Sequence, residues 1–153
     1  MILEMDEQTL RKIQAHGEAA YPEEGAGLLL GVQEGEIRRI NAIYGLDNSR
    51  EDNARHNRYL LTPQDYARGE ELASRLGLDV VGVFHSHPDH PSQPSEFDRE
   101  WAMPWFSYII TSVEKGQAAS IRSWQLLEDR SKFVEDTIKI VNKVISNHST
   151  FAP

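Results

Sequence analysis

His85 and His87 stand one residue apart at the end of an apolar run, Val80, Val81, Val83 and Phe84, and are followed by Ser95 and Asp98. Residues two apart on an extended strand face the same side, so two imidazoles here can be presented to one ion. The loop between carries Pro88, Pro91 and Pro94 and returns the chain to Asp98. Two ring nitrogens and one carboxylate oxygen make three of the four ligands of a tetrahedral zinc. The fourth position is left for water, which is the arrangement of catalytic zinc sites. Each half of the pattern also has a plainer reading. A His-x-His pair can be solvated surface or a satisfied core pair, and Ser95-x-x-Asp98 matches a capping box in which the serine starts a helix and the acid answers from its first turn. The two uses are compatible, because a first-turn carboxylate can still face a metal. Ser86 points to the opposite strand face and suits packing or hydrogen bonding. The Gly-x-Ser-x-Gly elbow that would make it a nucleophile is absent. His90 falls outside the ligand spacing and reads as a solvated loop residue, and His16, His56 and His148 have no partner visible in the sequence.

Composition narrows the chemistry further. The chain has 153 residues and no cysteine, so thiolate metal sites, disulfides and a cysteine nucleophile are excluded, and its six histidines and its carboxylates must carry any metal site. With 24 acidic against 16 basic residues the net charge is -8, which gives nucleic acid or an anionic membrane surface no electrostatic footing. No run of about eighteen apolar residues is present, and Met1 to Leu10 carries Glu4, Asp6 and Glu7 rather than a basic-then-apolar leader. The expectation is one soluble, cytoplasmic domain over residues 1–147, with 148–153 a flexible C-terminal tail.

Helix and strand signals alternate without repeats, which predicts a single three-layer α/β domain, a central mixed sheet flanked by helices. Asp6 is a candidate N-cap for a first helix that Tyr21-Pro22 should end. Strands are expected over Gly27 to Gly31 and Glu36 to Tyr44, joined by a turn at Gln33-Glu34-Gly35. Gly45 to Arg58 reads as a long polar loop. Thr62-Pro63-Gln64-Asp65 combines an N-cap, a proline at the first helical position and a capping acid, so a helix is expected over Pro63 to Leu76, with Gly77 beyond its end. Asp79 to His85 has the near-continuous apolar run of a strand covered on both faces. A short helix over Ser95 to Ala102 and strands over Ser107 to Val113 and Ala118 to Leu127 follow. Val134, Ile138, Val141 and Ile145 recur at helical spacing and predict a final helix from about Ser131. Phe97, Trp101, Trp105 and Phe106 read as core or short-helix packing, with a substrate platform as the alternative.

The pattern from His85 to Asp98, His-x-His, seven residues, Ser, two residues, Asp, resembles the JAMM (MPN+) zinc metalloprotease and deubiquitinase family. Tyr21-Pro22-Glu23-Glu24-Gly25-Ala26-Gly27-Leu28-Leu29-Leu30-Gly31 resembles that family's segment bearing a catalytic glutamate ahead of an apolar strand. The match selects Glu24, two residues after the proline, with Glu23 as its rival. The expected element order agrees with the family's compact domain, of the MPN or cytidine-deaminase-like class, over most of the chain. By this resemblance zinc is held by His85, His87 and Asp98. Glu24 acts as general base and then general acid on a zinc-activated water, and Ser95 steadies the oxyanion through its hydroxyl.

The same resemblance implies peptidase or isopeptidase action at the C-terminal end of a ubiquitin-like protein. Only about four residues join the strands near Val113 and Ala118, so the insertion carried by larger deubiquitinases has no room there. The likeness is to the compact prokaryotic branch, several members of which are associated with ubiquitin-like sulfur-carrier proteins. Two other classes remain in view: a non-catalytic MPN-type scaffold, against which the complete ligand set argues, and a RadC-like DNA-associated protein, against which the net charge argues. A zinc deaminase of the Pro-Cys-x-x-Cys type is excluded by the missing cysteines.

Overall fold

The computed structural model describes residues 1–47 and 61–142. Seven strands and three helices occur among them: β1 (Ile2–Asp6), α1 (Glu7–Ala20), β2 (Ala26–Glu34), β3 (Ile37–Gly45), α2 (Pro63–Arg75), β4 (Asp79–Pro88), α3 (Glu96–Trp101), β5 (Ser107–Glu114), β6 (Gln117–Leu126) and β7 (Phe133–Val141). The sheet is mixed, as expected. It runs β3-β2-β4-β5-β6-β7 and is closed by β1, which lies parallel to both β3 and β7. The centre of the polar loop, 48–58, and the expected tail, 148–153, lie outside the described residues. No helix among the described residues is long and apolar enough to cross a membrane.

The helices sit on opposite faces because β2 alternates. Leu28 and Leu30 pack with Ala73 of α2 and Val83, while Leu29 packs with Ile13 of α1, Phe84 and Ile109. Both helix starts follow from local chemistry. Asp6 accepts a hydrogen bond from the Thr9 N–H at 2.8 Å, and Thr62 and Asp65 form the reciprocal capping box. α1 ends at Ala20, just ahead of Tyr21-Pro22.

Two expectations are corrected. The segment expected as a final helix is strand β7, paired antiparallel with β6 and parallel with β1. Val134 and Ile138 are four apart, a spacing that is even as well as nearly one helical turn, so period 2 satisfies it too. The dense β-branched residues Val134, Thr137, Ile138, Ile140 and Val141 and two waiting strand partners decide for the sheet. Ile145 lies outside the described residues. β1, ahead of the first helix, has no counterpart in the expected order. Leu3 and Met5 alternate and are fully buried, each contributing about 1.5–3 kcal/mol of apolar burial.

Asp136 obscured the strand because it is a carboxylate at an inward position. It is buried, and accepts hydrogen bonds from the Ser107 and Ser123 hydroxyls at 3.0 and 2.7 Å. Arg38, also buried, donates to Ser107 at 2.7 Å, to the Trp105 carbonyl at 2.9 Å and to Gln33. One hydroxyl thus links a buried guanidinium to a buried carboxylate across β3, β5 and β7. Removing one partner of such a network strands the other charge. Asp136→Ala is expected to lose about 3 kcal/mol in chemical denaturation, and the double variant Arg38→Met/Asp136→Leu to lose less than Asp136→Ala alone. Equal losses would show that the network is not coupled.

Candidate active site

β2 and β4 pair antiparallel with Ala26 opposite His85, so the residues just before β2 lie beside the end of β4. That pairing carries Glu24 to the two histidines across the fold. His85 and His87 share one face of β4, with ring centroids 5.1 Å apart. Asp98, in the first turn of α3, meets both rings: its Oδ1 is 3.6 Å from His85 Nε2 and its Oδ2 is 3.3 Å from His87 Nε2. Glu24 approaches the other edge of His85, with Oε1 3.8 Å from Nδ1. One donor atom each from Glu24, His85 and His87 lies within 4.8 Å of the others, a group able to hold a metal ion.

Two carboxylates therefore flank the histidines, Asp98 at both Nε2 atoms and Glu24 at the other edge of His85. Ligands about 2.0–2.1 Å from a tetrahedral ion lie about 3.3–3.4 Å from one another. The separations of Asp98 Oδ1 from His85 Nε2, 3.6 Å, and of Asp98 Oδ2 from His87 Nε2, 3.3 Å, are each near that spacing through a different oxygen, whereas Glu24 faces the far nitrogen of one ring. The donor chemistry, two imidazole nitrogens with carboxylate oxygens beside them, fits a zinc ion. Glu23, the rival for the upstream glutamate, is not in the metal-binding group.

The protonation states follow from burial and partners. His85 is fully enclosed, and burial lowers its pKa to about 4 against the opposing pull of Asp98, so at neutral pH the ring keeps a lone pair for a metal. Burial also pulls His87 down, but hydrogen bonds to Asp98 and to the Pro91 carbonyl outweigh it and raise its pKa. That carbonyl, 2.8 Å from Nδ1, can only accept, so Nδ1 carries a proton and Nε2 faces Asp98. Burial pushes Asp98 up, yet the histidines and the Ser95 N–H hold it at about 2, and it is ionised.

Ser95 caps α3. Its Oγ accepts from the Asp98 N–H at 3.1 Å while Asp98 Oδ2 accepts from the Ser95 N–H at 2.7 Å. The capping box and the approach to the histidines thus coexist in one carboxylate, whose Oδ1 faces His85. Ser95 is exposed at the rim of a cleft of about 570 Å³ lined also by Glu24, His87, His90, Phe97 and Asp98.

Sequence reasoning left several supporting residues without a role. The Ser112 hydroxyl donates to the His90 carbonyl at 2.6 Å, the Trp124 indole to the Ser92 carbonyl at 3.0 Å, and the Lys115 N–H to Asp89 at 2.8 Å. Tyr21 donates to the other oxygen of Asp89 at 2.7 Å. Together they hold the proline-studded loop against β5, β6 and the end of α1. No local pattern marks them, since each bond spans at least 22 residues. Phe97 lines the cleft and packs on Trp101 at 6.0 Å, and Phe106 is buried. Trp101, though 60 % exposed, thus takes part in short-helix packing, while Trp105, 63 % exposed and outside α3, is neither core nor helix packing, which corrects the expectation for that residue.

Comparison with known proteins identifies the family. The family model described as prokaryotic homologs of the JAB domain matches residues 6–127. A desampylase of Pyrococcus furiosus is 30% identical over 118 residues, covering 77% of this chain and 75% of that protein. A probable TtuB-protein conjugate cleaving protease of Thermus thermophilus is 27% identical over 117 residues, 74% of this chain and 72% of the relative. Tail tip assembly protein K of Escherichia phage N15 is 31% identical over 122 residues, 77% of this chain, which spans only 44% of the phage protein. The solution structure of a Salinibacter ruber protein matches with a TM-score of 0.73 and 39% identity, covering 95% of this chain and 97% of that one. With the family's match spanning Glu24, both histidines, Ser95 and Asp98, this chain belongs to the prokaryotic JAB-domain family of the JAMM/MPN grouping.

Proposed function

We propose that this chain is a zinc-dependent peptidase or isopeptidase that cuts at the C-terminal end of a ubiquitin-like protein of the sulfur-carrier type. His85, His87 and Asp98 are the zinc ligands, Glu24 is the proton carrier and Ser95 the oxyanion donor. The observation that carries this reading is the convergence of both Nε2 atoms on the Asp98 carboxylate, 3.6 and 3.3 Å away, with Glu24 alongside. The relatives named for desampylation and for cleaving protein conjugates support the substrate class. The phage relative is named for assembly, and the presence of His85, His87, Asp98 and Glu24 together favours the catalytic reading over a scaffold that has lost catalysis.

A bound zinc supplies Lewis-acid polarisation and brings the pKa of a coordinated water toward 7. The remaining work falls to the chain. The Glu24 carboxylate, its side chain only 5 % exposed, takes a proton from the attacking water and returns it to the leaving amine as the C–N bond breaks. Ser95 uses a lone pair to cap α3, which leaves its own hydrogen for the carbonyl oxygen as charge develops there. Capping and oxyanion donation therefore employ opposite capacities of one hydroxyl. His87 is held by the Pro91 carbonyl and His85 by its enclosure, so neither ring has to reorganise.

The test mixes purified protein with sulfur-carrier proteins bearing C-terminal extensions, and with isopeptide-linked conjugates, and follows product mass. Wild type is expected to hold one zinc per chain and release the tail or partner. Zinc retained with no cleavage of either substrate would overturn the substrate assignment while leaving the metal site standing. Separately, His85→Ala and Asp98→Ala are expected to lose zinc by elemental analysis, and unchanged zinc content would show the ligand set to be wrong. Glu24→Gln is expected to keep zinc and lose about 10²–10⁴ in kcat, and Ser95→Ala to lose about 10²–10³. A Glu24→Gln variant with wild-type turnover would remove the assigned proton carrier.

A further inference from the structure

Ser86, the residue between the two histidines, takes no part in the chemistry above, yet it is 2 % exposed and hydrogen-bonded. Its Oγ accepts from the Gly25 N–H at 2.9 Å, and its own N–H donates to the Gly25 carbonyl at 3.0 Å. Gly25 directly follows Glu24. One residue therefore grips both backbone polar groups of the glycine beside the proposed proton carrier, and its hydroxyl holds the peptide N–H that joins Glu24 to Gly25. We infer that Ser86 is a positioning residue for Glu24: its hydroxyl fixes the turn ahead of β2, so that the carboxylate is held at the His85 edge of the cleft. This rests on the assignment of Glu24 as proton carrier.

The surroundings make the clamp rigid from both sides. On the face away from the cleft, α1 comes so close that a Cβ at Gly17 would lie 3.0 Å from Ser86 Cβ, so the serine has little freedom to turn away. Glycine inside a helix costs about 1 kcal/mol relative to alanine, and here it permits that approach. On the other side of the turn, a Cβ on Gly25 would lie 2.8 Å from His16 Nδ1, and His16 is itself held by its Nε2 hydrogen bond to the Leu46 carbonyl at 2.9 Å. Beyond the β2–β4 ladder, which begins at Ala26, a single backbone bond reaches Gly25, from the Ser86 N–H to its carbonyl, and it leaves the Gly25 N–H unpaired by backbone. The hydroxyl supplies the partner for that N–H, where the turn leaves the sheet. A proton carrier displaced by about 1 Å can cost about 10²-fold in rate, so a single buried hydrogen bond is enough to matter.

The test compares wild type with Ser86→Ala and, as a control, Thr111→Val. Thr111 stands opposite Ser86 on β5, is also buried, and has no hydrogen bond to Gly25, so its variant removes a neighbouring buried hydroxyl without touching the clamp. Ser86→Ala is expected to keep one zinc per chain, to lower kcat about 10- to 100-fold with KM within about twofold, and to speed hydrogen exchange of the Gly25 amide at least tenfold, with the Val83 amide unaffected. Thr111→Val is expected to match wild type in all of these. Unchanged Gly25 exchange, unchanged kcat, or an equal loss in Thr111→Val would each overturn the inference. If wild type binds zinc but cuts no substrate, the functional reading fails, and the Gly25 exchange alone decides the clamp.

Discussion

The antiparallel register of β2 against β4, with Ala26 opposite His85, is the constraint on which the site depends. Glu24 and His85 are about sixty residues apart in the chain, and no local preference relates them. Apolar burial sets the register. Leu28 and Leu30 must face α2 while Leu29 faces α1, and a slip of one residue would exchange the two faces. With that register in place, the turn before β2 can only emerge beside the end of β4. The same burial that stabilises the sheet therefore delivers a carboxylate to a pair of imidazoles.

Around that contact, small polar groups serve two purposes at once. Asp98 closes the capping box of α3 through Oδ2 and faces His85 with Oδ1, so helix formation itself orients the carboxylate. The Pro91 carbonyl fixes the His87 tautomer while ending a loop that Ser112, Trp124 and Lys115 hold against the sheet. Ser86 continues the logic on the reverse side of the strand, where its hydroxyl secures the Gly25 peptide. The strand alternation that sends His85 and His87 to the cleft necessarily sends Ser86 to that other layer. Each arrangement places a charged or basic group without a long flexible side chain having to be ordered when substrate arrives.

A second polar device sits away from the cleft, where β7 joins β6 and β1. Arg38 and Asp136 are buried and linked through Ser107. An inward carboxylate in a β-branched segment disguises the strand's apolar face. Val134 and Ile138, on either side of it, then match a helical spacing as well as an extended one. This is why the C-terminal segment reads as a helix and folds as a strand. β1 escapes notice for a related reason: two buried residues, Leu3 and Met5, are too few to declare a period.

What the sequence by itself determined is local. His85 and His87 two apart on an apolar strand, Ser95 and Asp98 in a capping box, the Thr62–Asp65 box, the helix start at Asp6 and the absence of cysteine all act within a few residues, and their chemistry is readable from type and spacing. Tertiary structure decided the rest: the closure of the sheet by β1 and β7, the approach of Glu24 to the His85 edge, the clamp of Ser86 on Gly25, and the anchoring of the proline loop. These depend on pairings between distant segments. Such pairings are settled by which apolar faces can be buried together and which buried polar groups can find partners, quantities that belong to the packed chain and not to any stretch of it.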